Sequence, residues 1–276
     1  MKISLIISTY NWPAALEASL RSAIKQDYHS YEILVADDGS QPDTKALIER
    51  LAEISEAPIQ HIWHEDRGFR LAEIRNRAAA RATGDYLIFV DGDCLLPPNF
   101  LTQHAWLAEP HCLVAGSRVQ LSAALTNDIL NQLDNLPDLT RLNLLKLWLQ
   151  RKIRRIHPII KWPFHVLRYR RPLRWQGAVG CNIAVWRVDY EAVNGFDNEF
   201  LGWGREDSEF IVRLFNYGVT RKDGKLASYV LHLHHRKGSG IVSPDNEARF
   251  IRTQQEQRQW ADSGVKELSH TESNAQ

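Results

Sequence analysis

The sequence predicts an α/β fold in which a mostly parallel central sheet is flanked by helices. Two observations support this prediction. Apolar, strand-like runs alternate with helical stretches through the first 120 residues, and polar clusters directly follow three of the runs. Strands that alternate with helices favour right-handed β-α-β units and a parallel sheet. Such sheets bind ligands beyond the carboxyl ends of their strands, so the polar clusters are candidate site residues.

The first half of the chain contains four predicted strands and three predicted helices. The strands are expected at residues 3–7, 32–36, 59–63 and 86–90, and the helices at residues 13–24, 44–54 and 69–82. Pro13 suits the start of a helix, and Gly84 follows the third helix as a stop. The first strand is apolar on both faces, which is typical of a central strand in a parallel sheet.

The second half of the chain is less regular. Strands are expected at residues 111–119, 177–186 and 228–232, and helices at residues 127–156, 205–217 and 246–261. In the second of these helices Glu209 and Arg213 are four residues apart. They are expected to form an ion pair on the solvent side.

Asp91-Gly92-Asp93 follows the fourth strand. Two carboxylates at this spacing can converge on one hard cation, and Gly92 makes the break in the strand easy. Mg²⁺ and Mn²⁺ prefer oxygen ligands and commonly keep positions open for phosphate oxygens. A solvated turn is the alternative for this motif taken alone. The polar ends of two other strands favour the metal site.

Asp37-Asp38-Gly39-Ser40 lies at the end of the second strand. A carboxylate there could accept hydrogen bonds from a nucleobase edge or from ribose hydroxyls. The alternative is an Asx turn that caps the following helix, and one residue of the pair is expected to serve that purpose.

The first 120 residues resemble the family 2 glycosyltransferases of the GT-A fold. The resemblance covers five motifs in order and spacing: Ile6-Ile7-Ser8-Thr9-Tyr10-Asn11, Val35-Ala36-Asp37-Asp38-Gly39-Ser40, Arg75-Asn76, Ala82-Thr83-Gly84-Asp85-Tyr86 and Phe89-Val90-Asp91-Gly92-Asp93. Residues 66–93 look particularly similar to the bacterial chondroitin-polymerase branch. One departure is Arg67-Gly68, where many relatives have Asn-Gly.

The resemblance implies roles for the strand-end residues. Thr9 and Tyr10 would hold the nucleotide, and Asp38 would contact uracil or ribose. Arg75 would approach the base or the diphosphate. Asp91 would bind ribose or the metal.

Asp93 would bind the metal, as Mn²⁺ or Mg²⁺. Residues 1–120 would form the nucleotide-sugar-binding half, and residues 121–262 the acceptor-binding and catalytic-base half of the same domain. Residues 263–276 are expected to be a flexible tail.

The segment 202–207 resembles the Gly-Trp-Gly-x-Glu-Asp motif of the β-1,4-galactosyltransferase C-terminal region. Gly202 lets the backbone approach a ligand, and Trp203 offers a flat face to a sugar ring. Glu206 and Asp207 open a helix, where the dipole favours anions. Plain charge complementarity at a helix start is the alternative. Together with the motif, the position favours Asp207 over Glu206 as the general base.

Gly177, Gly180 and Asn182 resemble the glycine-containing strand that lines the acceptor side in these families. A glycine-rich turn into a buried strand explains the same residues equally well. The resemblance therefore makes Asn182 a candidate acceptor contact and leaves the alternative open.

Histidines cluster at the end of the last predicted strand. Strand alternation places His232 and His234 on one face, and His235 begins the exit loop. In the resembling families a histidine at this place completes the metal shell. His234 is the expected ligand by register, and His232 is the alternative.

A basic, aromatic insertion is expected at about residues 139–175. Residues 139–188 contain twelve Lys or Arg and no Asp or Glu. Aromatic residues are interleaved, and a helical apolar stripe runs along Leu142, Leu145, Leu149, Ile153 and Ile156. Residues 141–175 therefore suit an anionic membrane surface or a lipid-linked, phosphorylated acceptor. Nucleic acid is the rival partner, but no nucleic-acid-binding module accompanies the segment. A solvated basic face without a partner stays open.

The sequence thus predicts an inverting transfer from a UDP-sugar to a hydroxyl of a glycan or glycolipid, in bacterial lipopolysaccharide core or capsule assembly. A cytoplasmic location, at the inner face of the cytoplasmic membrane, is expected. Three widely spaced cysteines form no disulfide pattern, and the N-terminal apolar run is too short for a signal peptide. A sugar nucleotidyltransferase is one alternative, although no glycine-rich loop follows the first strand. A non-catalytic membrane-surface binding protein is the other.

Overall fold

The computed structural model describes residues 1–137, 141–155, 166–236 and 241–268. Strands β1 to β10 span Ile3–Thr9, Tyr31–Asp37, Ile59–Trp63, Tyr86–Asp91, Cys94–Leu95, Cys112–Ala115, Ser117–Gln120, Ile183–Trp186, Thr220–Asp223 and Tyr229–His232. Helices α1 to α9 span Pro13–Ala23, Pro42–Glu53, Leu71–Arg81, Phe100–Leu107, Ala123–Leu130, Arg141–Leu149, Arg187–Ala192, Glu206–Tyr217 and Pro244–Gln255. None of the described helices combines the length and apolar character needed to cross a membrane.

A seven-stranded sheet with the order β3-β2-β1-β4-β8-β6-β9 forms the centre of the fold. Strands β1 to β4 are mutually parallel where they pair. β8 runs antiparallel to both β4 and β6, and β9 is parallel to β6. A small second sheet has the order β5-β10-β7. The predicted α/β fold, with a mostly parallel sheet flanked by helices, is confirmed.

The alternation of apolar side chains along the central strands explains why the sheet is covered on both faces. In β1, Leu5 and Ile7 pack on one side with Leu16 and Leu20 of α1. Ile6, between them, packs on the other side. Each fully buried aliphatic side chain contributes about 1.5–3 kcal/mol of burial free energy.

In the second half of the chain, one predicted strand and one predicted helix are each divided into two elements. The strand predicted at 111–119 is two strands, β6 and β7, broken at Gly116. A Cβ there would lie 2.2 Å from the Asn182 amide nitrogen, so the chain turns at a position that only glycine can occupy. The helix predicted at 127–156 is divided into α5 and α6 within the described residues.

The predicted ion pair of Glu209 and Arg213 is confirmed, but its predicted solvent-side position is wrong. Both are buried, because α9 covers this face of α8. Arg213 Nε lies 2.7 Å from Glu209 Oε1, Arg213 Nη1 donates to the Val193 carbonyl, and the Thr253 hydroxyl donates to Glu209. The pattern of charges four residues apart on a helix does not reveal which face a later helix will cover.

The predicted flexible tail does not begin at residue 263. Val265 is buried against the core, and its N–H donates to the Asn194 carbonyl. Asn194 also accepts from the Lys266 N–H. Residues 263–268 are therefore part of the packed fold, and the rest of the predicted tail lies outside the described residues.

Candidate active site

The carboxyl ends of β1, β2 and β4 lie side by side, as the strand-end rule requires. Register pairs Thr9 with Asp37 and Ser8 with Asp91. The Thr9 carbonyl accepts the Asp38 N–H at 3.0 Å. Three of the predicted strand-end residues, Thr9, Asp38 and Asp91, are thus brought to one rim of the sheet.

Arg75 of α3 connects the ends of β1 and β4 with the start of α8. Its guanidinium is 1% exposed and forms bonds in three directions. Nε donates to the Ser8 hydroxyl at 3.1 Å, Nη2 to Asp91 Oδ1 at 3.1 Å, and Nη1 to Asp207 Oδ1 at 2.7 Å. The Phe196 ring lies against the guanidinium, with its centroid 5.3 Å away. Arg75 thus bridges two predicted site carboxylates, and its contact with base or diphosphate stays a prediction.

Asp207 lies in the first turn of α8, and the backbone around it is shaped to receive its side chain. Asp207 Oδ2 accepts the Gly180 N–H at 2.8 Å. A Cβ on Gly180 would lie 2.2 Å from Asp207 Oδ1, so no other residue could approach this closely. The two donors fix the orientation of a carboxylate whose side chain is 25% exposed to the cleft.

Three carboxylates, Asp207, Asp91 and Glu206, interact electrostatically with the Arg75 guanidinium, and the pKa values of two of them are raised. Burial raises the pKa of Glu206 to about 7, with a further contribution from Asp207. Burial also raises the pKa of Asp91 to about 6, opposed by Arg75 and reinforced by Asp93. The excess of negative charge makes this cleft a place where a cation would be stabilised.

Replacing Arg75 by methionine is expected to lower the free energy of unfolding by about 2–3 kcal/mol. The change leaves Asp91 and Asp207 facing each other without their shared cation, which is costly for buried pairs. Both carboxylates keep partial contact with water, so the expected loss is smaller than the roughly 3–5 kcal/mol typical of fully buried pairs. Lys25→Met, at an exposed position outside the site, is the control and should change stability by less than about 0.5 kcal/mol. Urea denaturation of both variants measures the difference, and equal values would contradict the bridging role.

The predicted metal residue Asp93 lies against two histidines. The β5–β10 pairing places His232 opposite Cys94, and the Leu233 N–H donates to the Asp93 carbonyl. His232 Nε2 and His235 Nε2 each lie 3.3 Å from Asp93 Oδ2. His234 is exposed, and its N–H donates to the Thr126 hydroxyl. The geometry therefore favours His232, the alternative, over His234 as a ligand: β10 ends at His232, and the alternation that would align the two stops there.

The tautomers of the His232 and His235 rings follow from the contacts of their Nδ1 atoms. His232 Nδ1 donates to the Leu233 carbonyl at 2.7 Å, and His235 Nδ1 donates to the Arg236 carbonyl at 2.9 Å. Burial lowers the pKa of His232, against the opposing effect of Asp93, so its neutral ring is favoured. In this tautomer the His232 Nε2 atom carries a lone pair that faces Asp93. The ring nitrogen and the carboxylate are therefore both able to bind a cation.

Cys94 completes a geometric cluster with Asp93 and His232 but does not fit the role of a ligand. Its thiol donates to Asp93 Oδ1 at 3.6 Å. Burial raises the pKa of the thiol well above its ordinary value, and only a thiolate binds metal well. The donor set is thus one carboxylate and one or two imidazoles, which suits a divalent cation with positions left for other ligands.

Asp38 is held by the end of the neighbouring strand. His64 Nε2 lies 2.7 Å from Asp38 Oδ1, and the Arg70 N–H donates to Asp38 Oδ2 at 2.9 Å. His64 Nδ1 faces Glu73 at 3.7 Å. Burial alone would lower the pKa of His64, but the hydrogen bond to Asp38 and the nearby Glu73 carboxylate raise it to about 9. Asp37, the other half of the pair, accepts the Ser40 N–H. Helix α2 begins at Pro42 and has no side-chain cap, so the prediction that one aspartate of the pair caps this helix is wrong.

We expect the stability contributed by His64 to depend on pH. Its folded pKa lies above the ordinary value, so the stabilisation is complete below pH 6.5 and is lost as the pH rises through about 9. His64→Gln should lower the free energy of unfolding by roughly 2–3 kcal/mol at pH 6 and by much less at pH 9.5. Denaturant unfolding at both pH values measures this, and a constant difference would contradict a charged His64.

The remaining predicted contacts divide into exposed and buried residues. Tyr10 and Trp203 are exposed and free to meet a ligand face, with the Tyr10 hydroxyl donating to Asp66. Gly202 has a positive φ of 74°, and its N–H donates to the Phe69 carbonyl. Asn182 is fully buried: its amide contacts His104 at one end and the Ser117 carbonyl at the other. Its expected place on the acceptor side is therefore wrong, and it ties the β6–β7 turn to β8.

The sequence did not point to His64 or His235 as members of the site, and it placed Ser8 in a strand-end polar cluster without a role of its own. A signal for His64 was present, because β3 is also a parallel strand and His64 directly follows it. Ser8 precedes the predicted Thr9, but its bond to Arg75 depends on a contact between distant parts of the chain. His235 lies beyond the end of β10, where strand alternation no longer predicts direction.

Sequence and structure comparisons show which known proteins this chain is similar to. The sequence profile described as "Glycosyl transferase family 2" matches residues 4–170, and the one described as "N-terminal domain of galactosyltransferase" matches residues 164–236. A validoxylamine A glucosyltransferase of Streptomyces hygroscopicus subsp. jinggangensis is 27% identical over 91% of the chain and 60% of its own length. A chondroitin synthase of Escherichia coli is 25% identical over 78% of the chain and 32% of its own length.

One solved structure illustrates the shared fold. GalNAc-T7 with UDP, GalNAc and Mn²⁺ superimposes with a TM-score of 0.62 at 16% identity, covering 92% of this chain and 48% of that one. The likeness confirms the GT-A fold. The chain spans about 60% of the first of these relatives and a third of the second.

Proposed function

Since the chain belongs to glycosyl transferase family 2, we propose that it transfers a sugar from a UDP-sugar to a hydroxyl of a glycan or glycolipid, with inversion at the anomeric carbon. The observation that carries the proposal is the Arg75 bridge. One guanidinium contacts Asp91, beside the candidate metal residue Asp93, and Asp207, the candidate base. The residues proposed to stabilise the departing diphosphate and to activate the acceptor hydroxyl therefore lie in one cleft.

The donor side of the cleft comprises the ends of β1, β2 and β4. Thr9 and Tyr10 would hold the nucleotide, with Asp38 fixed by His64 and Arg70 next to them. Asp93, His232 and His235 would hold a divalent cation, which when bound supplies charge neutralisation for the departing diphosphate. UDP and Mn²⁺ occur together in the GalNAc-T7 structure, which supports this donor and this type of cation.

On the acceptor side, Asp207 would remove the proton of the acceptor hydroxyl. The hydroxyl oxygen would then form a bond to the anomeric carbon as the bond from that carbon to the diphosphate breaks on the opposite face. A single displacement needs one base and no enzyme nucleophile. Asp207 accepts hydrogen bonds from the Arg75 guanidinium and the Gly180 N–H, and its oxygens keep lone pairs for the acceptor hydroxyl. Trp203, exposed three residues before the helix, would offer its face to the acceptor sugar.

We further propose peripheral contact with an anionic membrane through α6 and the residues after it. Leu144 packs inward, while Leu142, Leu149 and Trp148 are exposed. Exposed Arg151, Arg154 and Arg155 follow. Apolar and cationic side chains together suit an anionic bilayer surface. Part of the predicted segment, residues 156–165, lies outside the described residues. Bacterial lipopolysaccharide core or capsule assembly, in the cytoplasm at the inner membrane face, is the setting we propose.

A UDP-release assay tests the central proposal. Purified protein would be incubated with Mn²⁺, a panel of UDP-sugars and GDP-sugars, and glycan acceptors, and the product anomer would be determined by NMR. We expect release from a UDP-sugar and an inverted anomer. Release from GDP-sugars alone would exclude the donor class, a retained anomer would exclude the single displacement, and binding of UDP without any turnover would favour the non-catalytic alternative.

A further inference from the structure

A cavity of about 300 Å³ lies apart from the Asp91–Asp207 cleft, and most of its described lining residues are cationic. Its cationic lining residues are Arg168, Arg170, Arg171, Arg174, Arg221 and Lys225. Asp223 is the one carboxylate among the described lining residues. The 139–188 segment, which supplies four of the cations, contains no acidic residue that could offset them.

Two of the arginines that line this cavity are buried. Arg168 and Arg221 are each 4% exposed. Arg168 Nη1 donates to the carbonyls of Asp223 and Lys225 at 2.9 and 2.8 Å. Arg221 Nη1 donates to the carbonyls of Arg174 and Gln176 at 2.8 and 3.1 Å. These bonds to carbonyl oxygens hold the two side chains in place, and Asp223 acts electrostatically on both guanidinium groups.

The cavity walls are fixed by the same contacts. The Arg221 N–H donates to the Pro172 carbonyl at 2.7 Å, which attaches residues 171–176 to β9. Asp223 is partly engaged, because its Oδ1 accepts the Lys225 N–H at 3.0 Å. Burial lowers the pKa of Arg221, and Arg171 lowers it further, against the effect of Asp223. The cavity is thus a pre-organised concentration of positive charge.

The position of the cavity relates it to the acceptor side of the cleft. β9 is parallel to β6, and β8 is antiparallel to both β6 and β4, so Asp223 ends its strand at the same edge as Asp91. In the order β4-β8-β6-β9, three interstrand spacings, or about 14 Å, separate β4 from β9. Along the chain, Gly177 of the cavity wall precedes by three residues Gly180, whose N–H holds Asp207. The donor residues Thr9 and Asp38 lie on the other side of β4.

We propose that this cavity binds an anionic substituent, a phosphoryl or carboxylate group, carried by the acceptor glycan at some distance from the hydroxyl that is attacked. This inference rests on the proposed function, because it assigns the acceptor. Guanidinium groups match the geometry of phosphate and carboxylate oxygens with paired hydrogen bonds. Binding there would orient a charged acceptor and discriminate against neutral glycans.

Calorimetric titration of the full chain with glucose 6-phosphate, glucuronate and glucose tests the proposal. We expect the two anions to bind more tightly than glucose. Charge reversal of the two exposed wall residues, Arg171→Glu with Arg174→Glu, should weaken anion binding by about tenfold or more. The matched control, Lys25→Glu with Lys45→Glu, makes the same change in net charge at exposed positions elsewhere and should leave anion binding unchanged. If charge reversal prevents folding, Arg171→Gln with Arg174→Gln takes its place.

Failure of this inference can be separated from failure of the proposed function. Hydrolysis of UDP-sugars by the wild-type chain, without acceptor, reports on the donor site alone. Hydrolysis with no anion binding, or with anion binding that survives the Arg171 and Arg174 changes, overturns the cavity and leaves the proposed function standing. Anion binding that depends on these arginines supports the cavity even where no UDP-sugar is hydrolysed. Vesicles of anionic lipid that bind through these arginines, with no binding of the sugar anions, would overturn the assignment in favour of a lipid headgroup.

Discussion

Asp207→Asn should reduce glycosyl transfer by about 10²–10⁴-fold, the range for loss of a general base, while UDP binding in the presence of Mn²⁺ stays near normal. The amide keeps the size of the side chain but cannot take a proton from the acceptor hydroxyl. Its oxygen can still accept from Arg75 or from the Gly180 N–H, which now compete for one acceptor. Single-turnover rates measure the chemical step, and calorimetry with UDP measures donor binding.

Glu206→Gln is the matched control for the base assignment. Glu206 is the preceding residue on α8, and burial raises its pKa to about 7, so a neutral amide resembles a form that it readily adopts. We expect this variant to retain much more activity than Asp207→Asn. If Glu206→Gln is the inactive variant and Asp207→Asn is not, the base is Glu206. Loss of UDP binding in Asp207→Asn would instead place Asp207 in the nucleotide site.

The first half of the fold was predictable because its signals are local. Each parallel strand is a short apolar run, and the rule that ligands bind at carboxyl ends then places Thr9, Asp38 and Asp91 together without any knowledge of tertiary contacts. β3 was predicted at its observed bounds, Ile59–Trp63. The same rule, applied to the end of β3, would also have found His64.

The second half was less predictable because its positions depend on contacts between distant segments. Asn182 is buried because Gly116 turns against it, and nothing near Asn182 in the sequence signals that contact. Arg75 looked like a ligand contact, yet its three bonds reach Ser8, Asp91 and Asp207, up to 132 residues away. A pattern can identify charged residues that belong to a site. It cannot say which of them pair with each other.

His232→Ala should lower the Mn²⁺-dependent activity by about 100-fold or more, since changes even to groups that support metal ligands cost 10–100-fold. His234→Ala, two residues away, should stay within about twofold of wild type. The contrast follows from the structure: His232 Nε2 lies 3.3 Å from Asp93 Oδ2, whereas His234 is exposed with its N–H bonded to Thr126. His235→Ala should fall between them, because His235 is also 3.3 Å from Asp93 but 42% exposed.

Titration with Mn²⁺ distinguishes a ligand from a merely structural histidine. If His232 binds the cation, its alanine variant should need a higher Mn²⁺ concentration for half-maximal activity, and excess Mn²⁺ should restore part of the lost rate. A packing defect would lower the unfolding temperature and the maximal rate without moving the Mn²⁺ midpoint, and that result would remove His232 from the metal site. A shifted midpoint in His234→Ala, with none in His232→Ala, would mean that the chain beyond β10 takes another register when the cation is bound. The expectation drawn from strand alternation would then be right after all.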